Sequence, residues 1–349
     1  MHPTTDHRPA PALPLAAAAL ALLAMTAAFP ATAQERESWA LPGGAALELA
    51  PADGDEVTLS TPLGQGRALL LEQGVGTDGR LSRRLSDGNI TDPLGLRWQF
   101  FFLDLEGAPE TGRLARLDLD RLRAGVPPGA RFLGEENTTG QMRIVATAER
   151  LGLSHRPEDD TDLVEWAGLR IEAALLGALS TALPALAGQL GVESLGLDGE
   201  ARLGEGEGGG AARLEGMTGL AVNAAETHRL EFLAELDQGA LVRAELRLHE
   251  AGELMPGLRE AGRLERLDGG LVAGAGRGAL MAAGFGLAEA GALADALQQM
   301  LLGGGALALD IAPEAPLHLD ELAEWPERDL AGRRDLAARL GLSARHLAD

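Results

Sequence analysis

The clearest pattern of apolar and polar positions lies in residues 227–249. In "THRLEFLAEL" (227–236), Leu230, Phe232, Ala234 and Leu236 fall on one face. In "GALVRAELRLH" (239–249), Ala240, Val242, Ala244, Leu246 and Leu248 share a face, with Leu241, Arg243, Glu245, Arg247 and His249 opposite. Alternation with period two marks a strand with one buried face. Asp237-Gln238-Gly239 between the two runs predicts an antiparallel hairpin. Three earlier stretches read the same way. "GLRWQFFFLDLE" (95–106) follows the Asp92-Pro93 turn and is apolar and aromatic, as a strand entering a core is. In "RLARLDLDRLR" (113–123) helix and strand compete, and the alternating middle (Leu117, Leu119) favours strand. In "QMRIVATAERLGL" (141–153), Met142, Ile144, Ala146 and Ala148 alternate with polar partners.

Helical patterns are fewer. Residues 171–191 are Ala/Leu-rich and interrupted by Pro184, where a helix must kink or split. Residues 287–305 predict an amphipathic helix closed by glycines, and 329–342 a last helix. The sum is an α+β fold: mostly antiparallel, curved sheet with a few Ala/Leu-rich helices packed on one face. A weak echo relates 184–199 to 256–269, both running from Pro to Leu-Asp-Gly. Residues 34–56 lack a strong period and read as a poorly ordered lead-in. A strand-rich region over 57–160 and an α+β region over 161–349 follow, in one domain or two, with "RPEDDTD" (156–162) as the turn between them.

Composition adds a location. Residues 1–33 have the layout of a secretory signal peptide: Arg8, an apolar run Leu13–Met25, and Ala31-Thr32-Ala33 as a cleavage site before Gln34. The run is shorter than the ~20 residues a membrane span needs, so no transmembrane span is expected after cleavage. Cysteine is absent, which leaves stability to packing without disulfides, and no cysteine follows the apolar run to carry a lipoprotein anchor. Lysine is also absent, so every basic residue is arginine. The Arg/Ala/Gly/Leu bias suggests a bacterial source, and with the leader it points to the periplasm or to secretion. The net charge of −22 repels nucleic acid and anionic lipid surfaces.

Two glycine stretches resemble the G-x-G-x-x-G nucleotide fingerprint. Gly204-Glu205-Gly206-Glu207-Gly208-Gly209 is followed by a strand-like run, and it offers two carboxylates where phosphates would sit. It reads as an acidic hairpin loop joining strands over 195–203 and 211–222. Around Gly274-Ala275-Gly276-Arg277-Gly278 the preceding strand is too short, and a glycine-rich turn or closely packed helix is expected. No nucleotide or other cofactor is therefore expected. The chain lacks lysine for a P-loop or Schiff base, cysteine for a thiolate nucleophile, and any G-x-S-x-G frame. His155, His228, His249, His318 and His346 are not spaced as metal ligands, and they read as surface or strand-edge residues. Glu158-Asp159-Asp160-Asp162 lacks the spacing of a Ca²⁺ loop, so no metal site is expected.

The aromatic run is the one remaining candidate. By alternation Trp98, Phe100 and Phe102 share a face and Phe101 lies opposite. That face is either the densest part of the core or a lining for an apolar ligand. Phrases such as "GRLARLDLDRL", "GALVRAELRLH" and "GGGALALDIAPEAPLHLDEL" resemble, in texture over about 80–320, the periplasmic strand-rich envelope proteins of the AsmA and YdgA type. The resemblance implies curved sheets with an apolar concave face and a link to lipid handling, and it transfers no residue. The expected function is non-enzymatic: an exported envelope protein holding a lipid or hydrophobic partner on a sheet face. A purely structural scaffold and an uncharacterised hydrolase are the alternatives.

Overall fold

The computed structural model describes residues 37–41, 46–61, 64–76, 79–92, 95–108, 113–132, 135–158, 160–172, 192–205, 211–238, 240–262, 269–318, 321–322, 325 and 328–348. The leader 1–33, most of the helix expected over 171–191, and residues 184–191 and 263–268 of the two echo segments lie outside these.

One antiparallel meander dominates. Its first strands are β1 (Glu37–Ala40), β2 (Ala46–Pro51), β3 (Glu56–Thr61), β4 (Gly64–Val75), β5 (Leu81–Thr91), β6 (Arg97–Ala108) and β7 (Arg113–Val126). A two-strand excursion, β8 (Arg131–Phe132) with β9 (Glu135–Glu136), precedes β10 (Arg143–Arg156) and β11 (Thr161–Glu172). Then come β12 (Ser194–Glu205), β13 (Ala211–Val222), β14 (Ala225–Asp237) and β15 (Ala240–Glu250). Helices α1 (Leu254–Glu260), α2 (Gly269–Ala283) and α3 (Leu287–Gly303) lead to β16 (Ala306–Ile311) and β17 (Leu317–His318). Helix α4 (Leu330–Leu340) and β18 (Leu342–Leu347) end the chain. Each long strand pairs with the next along the chain, and the sheet crosses residue 160 unbroken because β10 pairs with β11.

Strands hold 62% and helices 19% of the described residues, so the molecule is mostly β rather than the balanced α+β expected. The period-two signals at 95–106, 113–123, 141–153 and 227–249 all lie in strands. The acidic stretch at 203–212 joins β12 and β13, which pair antiparallel from Leu195↔Val222 to Glu205↔Ala212. The segment 34–56 departs from expectation. Its short strands carry Trp39, Leu47 and Leu49, all buried. Such brief strands show too few alternations to register as a period. The second glycine motif lies inside α2, with a Cβ at Gly274, Gly276 or Gly278 meeting nothing within 4 Å.

Two ends of the sheet are packed. At the first, β1–β7 curl so that Ala40 forms a parallel bridge to Arg113, although the sheet is not a closed barrel. Trp39, Leu59, Leu85, Phe100, Leu103 and Leu105 fill the space enclosed. Arg83 donates to Glu37 through Nε (3.1 Å to Oε2) and through a second, shorter contact, tying β5 to β1. At the other end, Met300 and Ala296 of α3 pack on Leu307 and Leu248, while Leu336 and Leu340 of α4 pack on Leu241, Ala244 and Leu317. Helices α3 and α4 thus pack on the same end of the sheet.

A crease crosses the first half of the sheet. Asp87, Phe101, Arg121, Glu149 and Gly168 lie opposite one another on β5, β6, β7, β10 and β11, and each is skipped by the strand ladders. Asp87, Arg121 and Gly168 take positive φ (52°, 51° and 60°). A residue inserted out of alternation bends a strand and reverses which side chains face inward. Leu103 and Leu105 point inward on one side of the crease, and Phe100 on the other. In β7, Leu117 and Leu119 give way to Leu122 and Ala124. A second irregularity, between Glu235 and Leu236, turns Leu241 inward and leaves Val242 exposed, the reverse of the strict alternation expected for 239–249.

Candidate functional site

The crease relocates the aromatic run. Phe100 is buried, and a Cβ on Gly88 across the ladder would overlap its ring. Trp98 is half-buried against the same core, with Nε1 donating to Asp92 Oδ2 at 2.8 Å. Phe102 lies past the crease, opposite Ser86 and Asp120, with Arg84 stacked 4.5 Å from its ring centroid. Phe101 is exposed, edge-on to Phe102 and under Arg121. Trp98, Phe100 and Phe102 therefore do not form the continuous face that alternation predicts, because Phe101 occupies the crease.

The two faces of the long strands differ in chemistry. Following the ladders sideways, Glu72, Arg84, Asp104 and Asp118 stand in one row on β4–β7. The row continues through Gly152 and Glu165 to Glu200, Met217, Glu231 and Arg247. Two open grooves lie along it, of about 300 Å³ beside Arg84 and Asp118 and about 410 Å³ beside Met217 and Leu233. At the centre Asp118 accepts from Arg150 (2.6 Å) and, more closely, from Arg116. A Cβ on Gly152 would lie 3.4 Å from Asp118 Oδ1 and 3.8 Å from Glu165 Oε2, so two carboxylates approach over a bare backbone. Burial pushes the Asp118 carboxyl up, but the hydrogen bonds and charges of Arg150 and Arg116 outweigh it and hold the group below its ordinary range. Held ionised, the Asp118 carboxyl donates no proton at neutral pH.

The opposite face is apolar. The row adjacent to the charged one runs Leu105, Leu117, Leu153, Val164, Ala201, Gly216, Phe232, Leu246. The packed ends use the two extremes of this face. Between them, Val164 and Trp166 of β11, Leu203 of β12, and Leu230 and Phe232 of β14 are half-buried and belong to none of the four core clusters among the described residues. Four strands at ~4.8 Å spacing make this strip about 15 Å wide. Two aromatic rings shape it. Phe232 lies over Gly216, whose Cβ would sit 2.5 Å from its Cζ. Trp166 reaches across Gly199, the residue opposite it on β12, so that Nε1 donates to Thr218 Oγ1 at 3.2 Å. Sequence reasoning placed Phe232 on an apolar face but did not single out Trp166. The signal for both is a glycine opposite an aromatic, which requires the strand register to read.

The histidines are dispersed. His155 Nδ1 lies 2.9 Å from Asp162 Oδ1, and His249 pairs with Glu231 at 3.4 Å. His228 is buried, which corrects the expectation that every histidine sits at the surface or a strand edge. Among the described residues no group of three or more His, Asp or Glu is placed to hold a metal ion, and no helix is long and apolar enough to cross a membrane. No family model matches the chain, and no curated protein matches its sequence.

Proposed function

We propose that the chain is a non-enzymatic, exported envelope protein that shelters the acyl chain of a lipid on the apolar strip of β11–β14. The observation that carries this reading is the strip itself: five large apolar side chains, half-buried, between two packed ends of one sheet. Apolar side chains left partly in water on a face flanked by filled cores mark a binding surface. The opposite face supplies solubility, with its rows of carboxylates and arginines and a net charge of −22. The signal-like leader and the likeness to AsmA-type envelope proteins support an exported location. The experiment is mass spectrometry of an organic extract of the purified protein, paired with titration by a fluorescent phospholipid. Co-purified lipid or saturable uptake is expected, and neither appearing would count against the reading.

A scaffold without ligand is the second reading. The grooves beside Asp118 and Met217 are open and lie on the charged face, and a broad apolar strip without a ligand would meet another protein.

A further inference from the structure

The apolar face carries a polar cluster where α1 and the end of α3 meet the sheet. His228 of β14 stands directly opposite Glu250 of β15. Glu250 Oε2 pairs with Arg259 of α1, while Glu250 Oε1 is buried without a hydrogen-bond partner. Arg259 Nε donates to the Leu301 carbonyl at 2.9 Å, in the last turn of α3. His346 of β18 donates through Nε2 to the Gly304 carbonyl at 2.7 Å, just beyond that turn. The Glu250 backbone N–H donates to Gly305 at 3.2 Å. One carboxylate and one guanidinium thus clamp a short helix and a helix C-terminus onto two strands. The guanidinium also meets one carbonyl, that of Leu301, at the helix end, where the last carbonyls lack intrahelical partners.

We infer that this junction is an acid-opened latch, in which a proton on His228 sets a second cation beside Arg259 over the single Glu250 carboxylate and frees α1 and the last turn of α3 from the sheet. His228 is 9% exposed, so its imidazolium gains little from water. Burial holds the imidazole below its ordinary range; Glu250 opposes that shift and Arg259 adds to it. His228 faces Glu250 from β15 and Leu220 from β13; the charge of Arg259 from α1 reaches it through the Glu250 pair, and His346 of β18 stands further along the same face. His346 donates to a carbonyl in either charge state, so it does not drive the opening. Because the folded value lies below the unfolded one, the latch is intact above the ordinary histidine range and weakens as pH falls through it.

Hydrogen exchange of the full chain, read by mass spectrometry at pH 7.5 and 5.5 and normalised to intrinsic rates, tests this. Peptides over 254–262 and 300–305 are expected to open several-fold more at the lower pH, with β12 and β13 unchanged. His228→Gln should flatten the pH dependence and His346→Gln should leave it. Equal acid opening in His228→Gln, loss of it in His346→Gln, or no acid opening in the wild type would overturn the latch. Should His228→Gln fail to fold, NMR titration of the wild-type imidazoles decides. A His228 midpoint at or above that of free histidine overturns the proposal, and a lower one that coincides with the opening of α1 supports it.

Discussion

Phe232 covers Gly216 across the β13–β14 ladder so closely that a Cβ on Gly216 would sit 2.5 Å from the ring Cζ and 2.5 Å from the Glu200 carbonyl oxygen. The ring can turn aside, but the β12 backbone behind it cannot without breaking the ladder. The glycine is therefore part of the apolar strip: it lets an aromatic lie flat where a larger residue would lift it. Gly216→Ala is expected to cost about 1–3 kcal/mol, as overpacking does, measured by urea unfolding. A neutral result would mean that the ring and strand yield freely.

Trp166 and Thr218 make the complementary pair. Thr218→Val keeps the shape and removes the acceptor of the indole N–H. The expected loss is about 1 kcal/mol in stability, with a shift in Trp166 emission if the other three tryptophans are replaced.

The glycines of α2 predict the opposite sign. Gly274 and Gly278 are exposed within a helix, and a Cβ there meets nothing within 4 Å. Gly274→Ala and Gly278→Ala should each raise stability by roughly 0.5–1 kcal/mol, because alanine loses less backbone entropy on becoming helical. Thermal unfolding of the single and double variants measures this. A loss of stability would show that the glycines serve close packing.

Asp118 should make stability depend on acid. Its folded carboxyl is held below the ordinary value of 3.8, so the stabilisation is present at neutral pH and is lost as pH falls through the folded value. The arginine partners are about half exposed, which limits the gain to about 0.5–1 kcal/mol. Asp118→Asn should therefore be less stable than wild type at pH 7 and equal to it near pH 2. A difference that persists at pH 2 would place the effect in packing.

Much of the sheet is written in local alternation. The 227–249 hairpin, the strands at 95–106 and 141–153, and the β12–β13 pairing need no information beyond their own residues. The crease is different. Arg121 and Asp87 hold positive φ in runs whose composition reads as uninterrupted strand, and the irregularity is shared by strands up to 81 positions apart in sequence (Asp87 to Gly168). No local window reveals it, so alternation alone predicts one face through Trp98, Phe100 and Phe102, whereas the strand changes sides at Phe101. The candidate strip was hidden for a related reason. Trp166 and Phe232 acquire their role from Gly199 and Gly216 on neighbouring strands, and only the register brings each pair together. Buried His228 likewise depends on α1 and α3 closing over the end of the sheet.

The most direct test of the lipid-sheltering account compares uptake of a fluorescent phospholipid by variants of the two faces. Leu203→Gln and Leu230→Gln place amides in the strip at nearly conserved size, and Met217→Gln does so on the charged face, where Met217 is exposed. With strand content verified by circular dichroism, the account predicts that the two strip variants lose most of the uptake and that Met217→Gln retains it. Uptake unchanged in the strip variants, or lost only in Met217→Gln, would contradict it.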